Sequence, residues 1–310
     1  MSREIVAGVA GAGVFGGHHA CKYSISPNVR LAAVFDCDAD RAAALAQKHQ
    51  ARAYSDLKEF LSAVEVVTVA TSASSHYSIA REALERGRHV LVEKPIALTL
   101  SHAERLIGVA RERGLVLQVG HQERFVFDAF GIFGRRLRPR SVACVRRNPM
   151  TGRGEDVSVA FDLMIHDIDL VRRMGFADPV SLTAFGHGDE IDARLTFVDG
   201  AEVTFEASRL APARERRMTI DYGVGVVEID FINRRISNTT GVETAATFDN
   251  RTPALTDPLG YGVARFLDAV RGDGAPPISG DDGRDAIEWA LMIEAAVTAR
   301  APAKKRSVSA

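Results

Sequence analysis

The amino-acid sequence predicts an α/β protein: a doubly wound parallel sheet followed by an α+β domain with a mostly antiparallel open sheet. Three observations support this prediction. The 310 residues exceed the usual length of one compact domain. In the first 120 residues, short β-branched runs alternate with longer amphipathic stretches. After about residue 150, segments that alternate apolar and polar side chains follow one another with short turns.

Five short runs rich in Val and Ile are typical of strands buried in a parallel sheet. They are Ile5–Ala10, Leu31–Phe35, Val66–Thr71, His89–Glu93 and Val116–Val119. Between them, apolar residues recur at helical spacing in residues 38–49, 75–86 and 100–113. Ser101 and Glu104 form a capping-box pattern that predicts the start of the last of these helices. Strand and helix in alternation predict a parallel sheet with helices on both faces.

Alternating segments in the second part predict the hairpins of a mostly antiparallel sheet with one wet face. They are Ala193–Val198, Glu202–Glu206 and Met218–Tyr222. A helix at about residues 160–174 is predicted to lead into this sheet, and two helices, at 260–271 and 283–300, close the chain.

The chain is expected to divide near residue 121. The expected parts are a first domain of residues 1–121, a second domain of residues 122–300 whose final helices can pack back on the first, and a flexible tail of residues 301–310. The hairpin-rich sheet of the second domain suggests a face shared between subunits. We therefore expect a homodimer or a homotetramer.

The composition excludes several classes of protein. The 39 Lys and Arg residues nearly cancel the 40 Asp and Glu residues, so no global field attracts nucleic acid or an anionic membrane. The three cysteines, Cys21, Cys37 and Cys144, lack a C-x-x-C spacing, which argues against a disulfide framework and a metal site. No apolar run reaches the ~18 residues of a membrane helix, and the amino terminus lacks the pattern of a signal peptide. These features favour a cytoplasmic protein.

A glycine-rich loop follows the first predicted strand and precedes a helical stretch. Its residues are Gly11, Ala12, Gly13, Val14, Phe15 and Gly16, in the pattern G-x-G-x-x-G. Gly11 permits a tight turn, Gly13 lets the backbone approach a diphosphate, and Gly16 lets the helix pack closely on the strand. This context favours a dinucleotide-binding loop over a merely structural turn, with the diphosphate at the helix N-terminus.

An acidic residue stands where a dinucleotide site requires one. Asp36 ends the second predicted strand, 20 residues beyond Gly16, where a carboxylate can bind the hydroxyls of the adenosine ribose. The same carboxylate repels a 2′-phosphate, and Cys37 and Asp38 supply no cation to accept one. Arg41 is the nearest cation and lies five residues on. The sequence therefore favours NAD over NADP as the cofactor.

Lys94 is the first candidate for catalysis. It lies between Glu93 and Pro95 at the carboxyl end of a predicted parallel strand, the edge at which open α/β sheets bind ligands. Pro95 favours an extended backbone at Lys94, which directs the lysine to the crevice. An ammonium group there can stabilise the developing charge of an alkoxide. The alternative is a solvated lysine at a strand end.

A carboxylate and an imidazole form the second candidate. Asp162 and His166 are four residues apart in a predicted helix, so they share a face, and the carboxylate can orient a ring that exchanges a proton with substrate. Asp169 lies on nearly the same side. The alternative makes Asp162 a helix cap and His166 a core histidine. Burying acids and a histidine among apolar residues costs free energy, which favours a functional role for them.

With these motifs together, the chain resembles the Gfo/Idh/MocA oxidoreductase family along nearly all its length. The matching residues occur in family order: the loop from Gly11 to Gly16, Asp36, the segment from Thr71 to His76, Glu93 to Pro95, and the pair Asp162 and His166. The resemblance implies a Rossmann domain, a second domain whose open sheet commonly mediates oligomerisation, and NAD(P)-linked oxidation of a secondary alcohol of a sugar or cyclitol.

The resemblance also implies roles for particular residues. It implies Lys94, Asp162 and His166 as the catalytic group, and Thr71, Glu93 and His76 as residues on the nicotinamide side. Residues 119–125 and 165–169 are similar to the sugar-nucleotide branch of the family, in particular to UDP-N-acetylglucosamine 3-dehydrogenases. Such enzymes make a 3-keto sugar nucleotide for later amination, which implies an aminotransferase as the next enzyme.

Basic residues are candidates for binding the diphosphate of such a substrate, since guanidinium groups bind phosphate bidentately. Arg146, Arg147 and Arg153 are predicted in a loop, for which a solvated basic loop is the alternative. The predicted substrate-binding residues are Lys94, Arg124, Arg153 and Asp169.

The sequence thus predicts an NAD-dependent dehydrogenase whose substrate is UDP-N-acetylglucosamine, oxidised at C3, in amino-sugar and lipid A biosynthesis. One alternative is a dehydrogenase of inositol or another free sugar within the same family. Another is a non-catalytic protein that senses NAD or a sugar. The joint presence of Lys94, Asp162 and His166 favours an enzyme, because a sensor does not need them together.

Overall fold

The protein consists of two β-sheets and the helices that cover them, as the computed structural model shows for residues 3–132, 137–152, 154, 156–241 and 252–298. A six-stranded parallel sheet comes first, and an eight-stranded, mostly antiparallel sheet follows. Both parts of the predicted fold class are confirmed.

The first sheet has the strand order β3-β2-β1-β4-β5-β6, with all neighbours parallel. Its strands are β1 (Ile5–Ala10), β2 (Val29–Phe35), β3 (Arg52–Tyr54), β4 (Val66–Val69), β5 (His89–Val92) and β6 (Leu117–Val119). All four residues of β4 are buried, as expected for a strand covered on both faces. The strand order reverses between β1 and β4, which places a ligand crevice at their carboxyl ends.

Five helices cover the first sheet. They are α1 (Val14–Ile25), α2 (Ala39–Lys48), α3 (Leu57–Ser62), α4 (Ala73–Glu85) and α5 (Leu100–Glu112). The predicted capping box of Ser101 and Glu104 is wrong. Helix α5 begins at Leu100, and Thr99 caps it by accepting a hydrogen bond from the backbone N–H of His102. The Thr99 hydroxyl, two residues before Ser101, thus satisfies a backbone donor of the first turn.

The second sheet has the order β13-β12-β11-β7-β10-β9-β8-β14. Its strands are β7 (Ser141–Arg147), β8 (Ser181–His187), β9 (Glu190–Thr196), β10 (Glu202–Ser208), β11 (Glu215–Asp221), β12 (Val226–Asp230), β13 (Arg235–Asn238) and β14 (Val297–Thr298). Strand β7 pairs in parallel with β10, and β14 with β8, whereas the other neighbours are antiparallel.

Helices on one face of this sheet connect it to the first. They are α6 (Glu123–Ala129), a π-helical turn (Ala160–Met164) that continues as α7 (Ile165–Arg173), α8 (Pro253–Thr256), α9 (Pro258–Arg271) and α10 (Gly280–Ala296). Helix α9 packs on α1, and α10 packs on α5, β6 and α7. Trp289 of α10 is fully buried, with its ring 5.7 Å from that of Phe197. Helix α10, which packs on β6 and on β8, therefore contacts both sheets.

The expected division at residue 121 remains a prediction, and the expected tail lies outside the described residues. In the described part of the chain, no helix combines the length and the apolar character that crossing a membrane requires. The same residues contain no group of three or more side chains placed to hold a metal ion.

Two adjacent glycines of α1 provide a matched test of the close approach between helix and strand. A Cβ at Gly16 would lie 1.7 Å from the carbonyl oxygen of Gly11, whereas a Cβ at Gly17 meets its nearest atom, on Leu45, at 3.9 Å. We expect Gly16→Ala to lower the free energy of unfolding by about 1–3 kcal/mol. Gly17→Ala should leave it unchanged or raise it by up to about 1 kcal/mol. Denaturant unfolding measures both, and equal behaviour of the two variants would contradict the packing described.

Candidate active site

The glycine-rich loop leaves the N-terminus of α1 open. Gly13 is the N-cap residue, has an extended backbone and makes no side-chain capping bond, and a Cβ there would meet no atom within 4 Å. Gly11 has a φ of 102°, and a Cβ there would lie 2.5 Å from the carbonyl oxygen of Ala70. Val14 and Phe15 of the first turn are 54% and 44% exposed. The loop therefore offers free backbone donors and open space to an anionic group.

Asp36 is tied to this loop. Its Oδ2 accepts a hydrogen bond from the backbone N–H of Ala12 at 2.7 Å, and its Oδ1 accepts from the backbone N–H of Asp38 at 2.9 Å. Burial alone raises its pKa, but these backbone donors and the Arg41 guanidinium outweigh burial and lower the pKa below its usual value. Arg41 lies 3.1 Å from Oδ1, so the cation nearest in sequence is also the partner of this carboxylate.

Glu93 follows β5 and is held at the carboxyl edge of the first sheet. Its Oε1 lies 2.7 Å from Nε2 of His19 and accepts a hydrogen bond from the Gln122 amide at 3.2 Å. A Cβ at Gly120 would lie 2.7 Å from the Glu93 carboxylate, so a larger residue there would displace this carboxylate. Burial raises the pKa of Glu93, but the contact with His19 and the charge of Lys94 lower it overall.

His76 links two loops of this edge. Its Nδ1 lies 2.7 Å from the carbonyl oxygen of Pro95, and its Nε2 lies 3.1 Å from that of Thr71. Burial lowers the pKa of His76 and keeps the ring neutral. Both ring nitrogens lie at backbone carbonyl oxygens, and the contact of His76 with the cofactor stays a prediction. The Thr71 hydroxyl accepts a hydrogen bond from Ser75 at 2.8 Å.

Lys94 and Asp162 are in direct contact, although 68 residues separate them in the chain. The Lys94 ammonium donates to the Asp162 carbonyl oxygen at 2.6 Å and to its carboxylate Oδ1 at 3.0 Å. The expectation that Asp162 orients His166 is therefore wrong, because among the described residues its carboxylate pairs with Lys94. Asp162 lies in the π-helical turn, whose wider i→i+5 bonding shifts the face that a spacing of four residues predicts.

Two imidazoles lie beside this pair. The ring centroids of His166 and His121 are 6.4 Å apart, with perpendicular planes. Nδ1 of His166 and both ring nitrogens of His121 are buried, and none of the three has a hydrogen-bond partner in the described part of the chain. Burial first, and then the positive charges of Lys94 and Arg146, hold the pKa of His166 well below its usual value, against the opposing charge of Glu123. Burial likewise lowers the pKa of His121. Both rings are therefore neutral at neutral pH.

The sequence motifs assign no catalytic or binding role to His121. The available signal was its position: it follows β6 at the same edge of the sheet from which Lys94 projects. A polar residue directly after a buried parallel strand is a site candidate, and the structure buries this one to 1% exposure beside His166.

The candidate cations for a substrate diphosphate are engaged elsewhere. Arg146 lies in β7, not in a loop, is 1% exposed and donates to Glu123 at 2.9 Å and to Asp167 at 2.9 Å. Burial raises the pKa of Glu123, but Arg146 outweighs burial and lowers it strongly. Arg147 pairs with Glu206. The predicted loop is therefore wrong for both arginines, and the internal pairs of Arg146 contradict its predicted role. The role of Arg147 stays a prediction.

Arg124 is likewise an internal residue. Its guanidinium forms a bidentate pair with Asp169, with Nε donating to Oδ2 at 3.0 Å, and also lies 2.8 Å from Asp282. Arg124 and Asp169 are 6% and 1% exposed, so each neutralises the other and neither faces a substrate. The prediction that Arg124 and Asp169 bind substrate is wrong, because the two side chains form an ion pair with each other. The prediction for Arg153 falls outside the described residues.

The remaining groups can carry out a defined chemistry. A neutral imidazole accepts the proton of an alcohol, and an ammonium group stabilises the alkoxide that results. The ammonium group of Lys94 lies at the carboxyl edge of a doubly wound sheet whose glycine loop is open to a diphosphate, and the imidazole of His166 is on α7. The fold and site thus define an oxidoreductase that uses a dinucleotide cofactor.

Similarity to known proteins leads to the same class. Residues 5–121 match the family model GFO_IDH_MocA, described as an oxidoreductase family with an NAD-binding Rossmann fold. UDP-N-acetylglucosamine 3-dehydrogenase of Acidithiobacillus ferrooxidans is 33% identical over 313 residues, which cover 94% of this chain and 97% of that protein. A solved structure of that enzyme has a TM-score of 0.85 at 32% identity and covers 96% of this chain and 98% of its own.

Two further similar proteins have other descriptions. GenD2 from gentamicin A biosynthesis, solved in complex with NAD, has a TM-score of 0.82 at 26% identity and covers 95% of both chains. Inositol 2-dehydrogenase 2 of Paenarthrobacter aurescens is 27% identical over 316 residues, or 94% of both chains.

The chain belongs to the Gfo/Idh/MocA oxidoreductase family, and it is an NAD-binding enzyme that acts on CH–OH groups. The structure fits the cofactor, because the N-terminus of α1 has no side-chain cap and the position of a Cβ at Gly13 is open. The loop from Gly11 to Gly16 would hold the diphosphate, and Asp36 the adenosine ribose.

The neutral state of the two imidazoles can be measured directly. Because burial lowers both pKa values, we expect His121 and His166 to titrate below pH ~6.5, the usual value for histidine. Nitrogen-15 NMR of histidine-labelled protein reports the midpoint, and His121→Phe and His166→Asn assign the two sets of signals. A midpoint at or above pH ~6.5 for either ring would contradict the described burial.

Proposed function

We propose that this enzyme oxidises a secondary alcohol of a sugar nucleotide with NAD, and that the substrate is UDP-N-acetylglucosamine, oxidised at C3. The observation that carries the proposal of alcohol oxidation is the contact of Lys94 with Asp162 beside a neutral His166. The choice of substrate is supported by the 33% identity to a UDP-N-acetylglucosamine 3-dehydrogenase across 94% of this chain.

Lys94 is suited to bind the reacting oxygen. An ammonium group has three donors, and two of those on Lys94 go to the carbonyl oxygen and the carboxylate of Asp162. The third has no partner among the described residues, and the side chain is 15% exposed. Asp162 thus fixes the direction of the remaining donor, which stabilises the charge that develops on the substrate oxygen.

His166 is suited to take the hydroxyl proton. Its pKa is lowered mainly by burial, so the ring is neutral and can accept a proton at neutral pH. Glu123 opposes this effect and stabilises the imidazolium once it forms. The bound NAD supplies the hydride acceptor for the carbinol carbon. His166 and Lys94 therefore act on the same hydroxyl group, one on its proton and one on its oxygen.

A dehydrogenase of inositol or a free sugar is the second candidate function. It is consistent with the 27% identity to an inositol dehydrogenase over 94% of the chain. Arg124 and Arg146, the cations predicted to bind a diphosphate, are paired with internal carboxylates. This pairing is a reason to test a substrate that has no diphosphate. A non-catalytic sensor is not supported, because the homologues are dehydrogenases.

The expected setting of the enzyme forms part of the proposal. We infer a cytoplasmic homodimer or homotetramer that associates through the outer face of the eight-stranded sheet, with the chain divided near residue 121. The 3-keto product is a substrate for an aminotransferase, which would serve amino-sugar and lipid A biosynthesis.

A substrate panel tests the proposal. Purified enzyme is incubated with NAD and UDP-N-acetylglucosamine, myo-inositol or free N-acetylglucosamine, while NADH absorbance is followed. We expect turnover with the nucleotide sugar, and a loss of at least about 100-fold in kcat for Lys94→Met and for His166→Asn, because a positioned proton acceptor contributes about 10²–10⁴-fold.

Binding of NAD, measured by calorimetry, serves as the control and should be retained in both variants. Turnover of inositol but not of the nucleotide sugar would overturn the choice of substrate. Unchanged turnover in either variant would overturn the role given to that residue.

A further inference from the structure

Arg216 lies on the face of β11 that is directed towards the helices and the active site. Its side chain is on the same face of the strand as those of Met218 and Ile220, which are both fully buried, whereas Arg217 points to the opposite face. In the register of the sheet, Arg216 is the direct cross-strand partner of Arg146 on β7. Two arginines therefore lie side by side on the inner face of the sheet.

One carboxylate joins these two arginines. Glu123 receives both terminal nitrogens of Arg146, and its Oε1 also accepts a hydrogen bond from Nη1 of Arg216 at 2.9 Å. Arg146 has a second carboxylate partner in Asp167, whereas among the described residues Glu123 is the one that pairs with Arg216. Like charges directly opposite each other in a sheet repel. Because Arg216 shares Glu123 with Arg146, this carboxylate compensates the charge of Arg216 only in part.

Arg216 also keeps free donors. Of its five N–H groups, one donates to Glu123, and its buried Nε has no hydrogen-bond partner among the described residues. The side chain is 34% exposed, compared with 2% for Arg146 and 7% for Arg124. Burial, reinforced by the charge of Arg146 and opposed by that of Glu123, lowers the pKa of Arg216. Of these three arginines, Arg216 is thus the one whose side chain is open from outside.

The place of Arg216 is close to the catalytic groups. Its partner Glu123 begins α6, two residues after His121, and acts electrostatically on His166. One carboxylate therefore lies between Arg216 and the imidazole proposed to take the proton. An anion bound at Arg216 would therefore lie on the far side of Glu123 from this imidazole.

We propose that Arg216 binds the diphosphate of the substrate with its two terminal nitrogens, Nη1 and Nη2, as a bidentate fork, while Nη1 also donates to Glu123. This inference rests on the proposed function, since it requires a nucleotide sugar, and it supplies the cation that Arg124 and Arg146 cannot. A guanidinium fork matches two oxygens of a phosphate group, and such charge-assisted bonds are about twice as strong as neutral ones. Arg216 is accordingly a residue for substrate specificity and takes no part in proton transfer.

The test compares two adjacent arginines of one strand. Arg216→Gln removes the inner guanidinium, and Arg217→Gln makes the same charge change on the outer face, where the side chain is 65% exposed. Glu123 keeps its bonds to Arg146 in both variants, so the cluster retains its central ion pair. Thermal unfolding checks that the fold is preserved. Arg216→Lys retains the charge but removes the fork.

Binding of UDP to the NAD-loaded enzyme is measured by calorimetry, together with KM for UDP-N-acetylglucosamine. We expect Arg216→Gln to raise both the Kd of UDP and this KM at least about tenfold, with kcat and the Kd of NAD within about twofold of the wild type. Since tenfold corresponds to about 1.4 kcal/mol, this is the loss of one charge-assisted hydrogen bond. Arg217→Gln should leave all four quantities within about twofold, and Arg216→Lys should lie between.

Three contrary outcomes overturn the inference in distinct ways. If the wild type oxidises UDP-N-acetylglucosamine and Arg216→Gln binds UDP as tightly as Arg217→Gln, Arg216 does not bind the diphosphate, while the proposed function stands. If Arg216→Gln weakens inhibition by glucuronate but not by UDP, the site binds a carboxylate instead. If the wild type neither oxidises the nucleotide sugar nor binds UDP, the proposed function fails, and this inference fails with it.

Discussion

The contact between Lys94 and Asp162 is the interaction on which the active site depends. It joins the carboxyl edge of the parallel sheet to the helical segment in front of the second sheet, across 68 residues of chain. Each layer alone supplies only part of the chemistry, a cation from the first and an imidazole from the second. Because two donors of the lysine are fixed by Asp162, the third has a defined direction. This explains why a dinucleotide fold and a separate mixed sheet together form one site.

Buried charges stabilise this arrangement and also limit what the site can bind. Arg124 and Arg146 connect α6 and α7 with the surrounding elements through carboxylates that are themselves buried. Removing one partner of such a pair typically costs about 3–5 kcal/mol, because an uncompensated charge is left behind. These arginines are therefore structural, and Arg216, at the border of the cluster, is the cation proposed to recognise an anionic substrate.

Local signals made the sheet and its ligand edge predictable, whereas pairings over long distances were not. Buried parallel strands such as β4 are continuous apolar runs, so the sequence located them. Strand β3 was missed because it has three residues and two are exposed. The position of Lys94 followed from the edge rule for parallel sheets. The partner of Asp162 did not, because a π-helical turn alters the spacing, and the sequence carries no sign that Arg124 meets Asp169, 45 residues away.

We propose that Asp162 acts through Lys94 and not through His166. A double-mutant cycle with Lys94→Met, Asp162→Asn and the double variant, read as the single-turnover rate of NADH formation, tests this role most directly. We expect Asp162→Asn to slow the wild type but to have little further effect once Lys94 is replaced, and we expect its effect to persist in His166→Asn. An effect of Asp162→Asn that is undiminished in Lys94→Met and absent in His166→Asn would show that Asp162 acts through His166 instead.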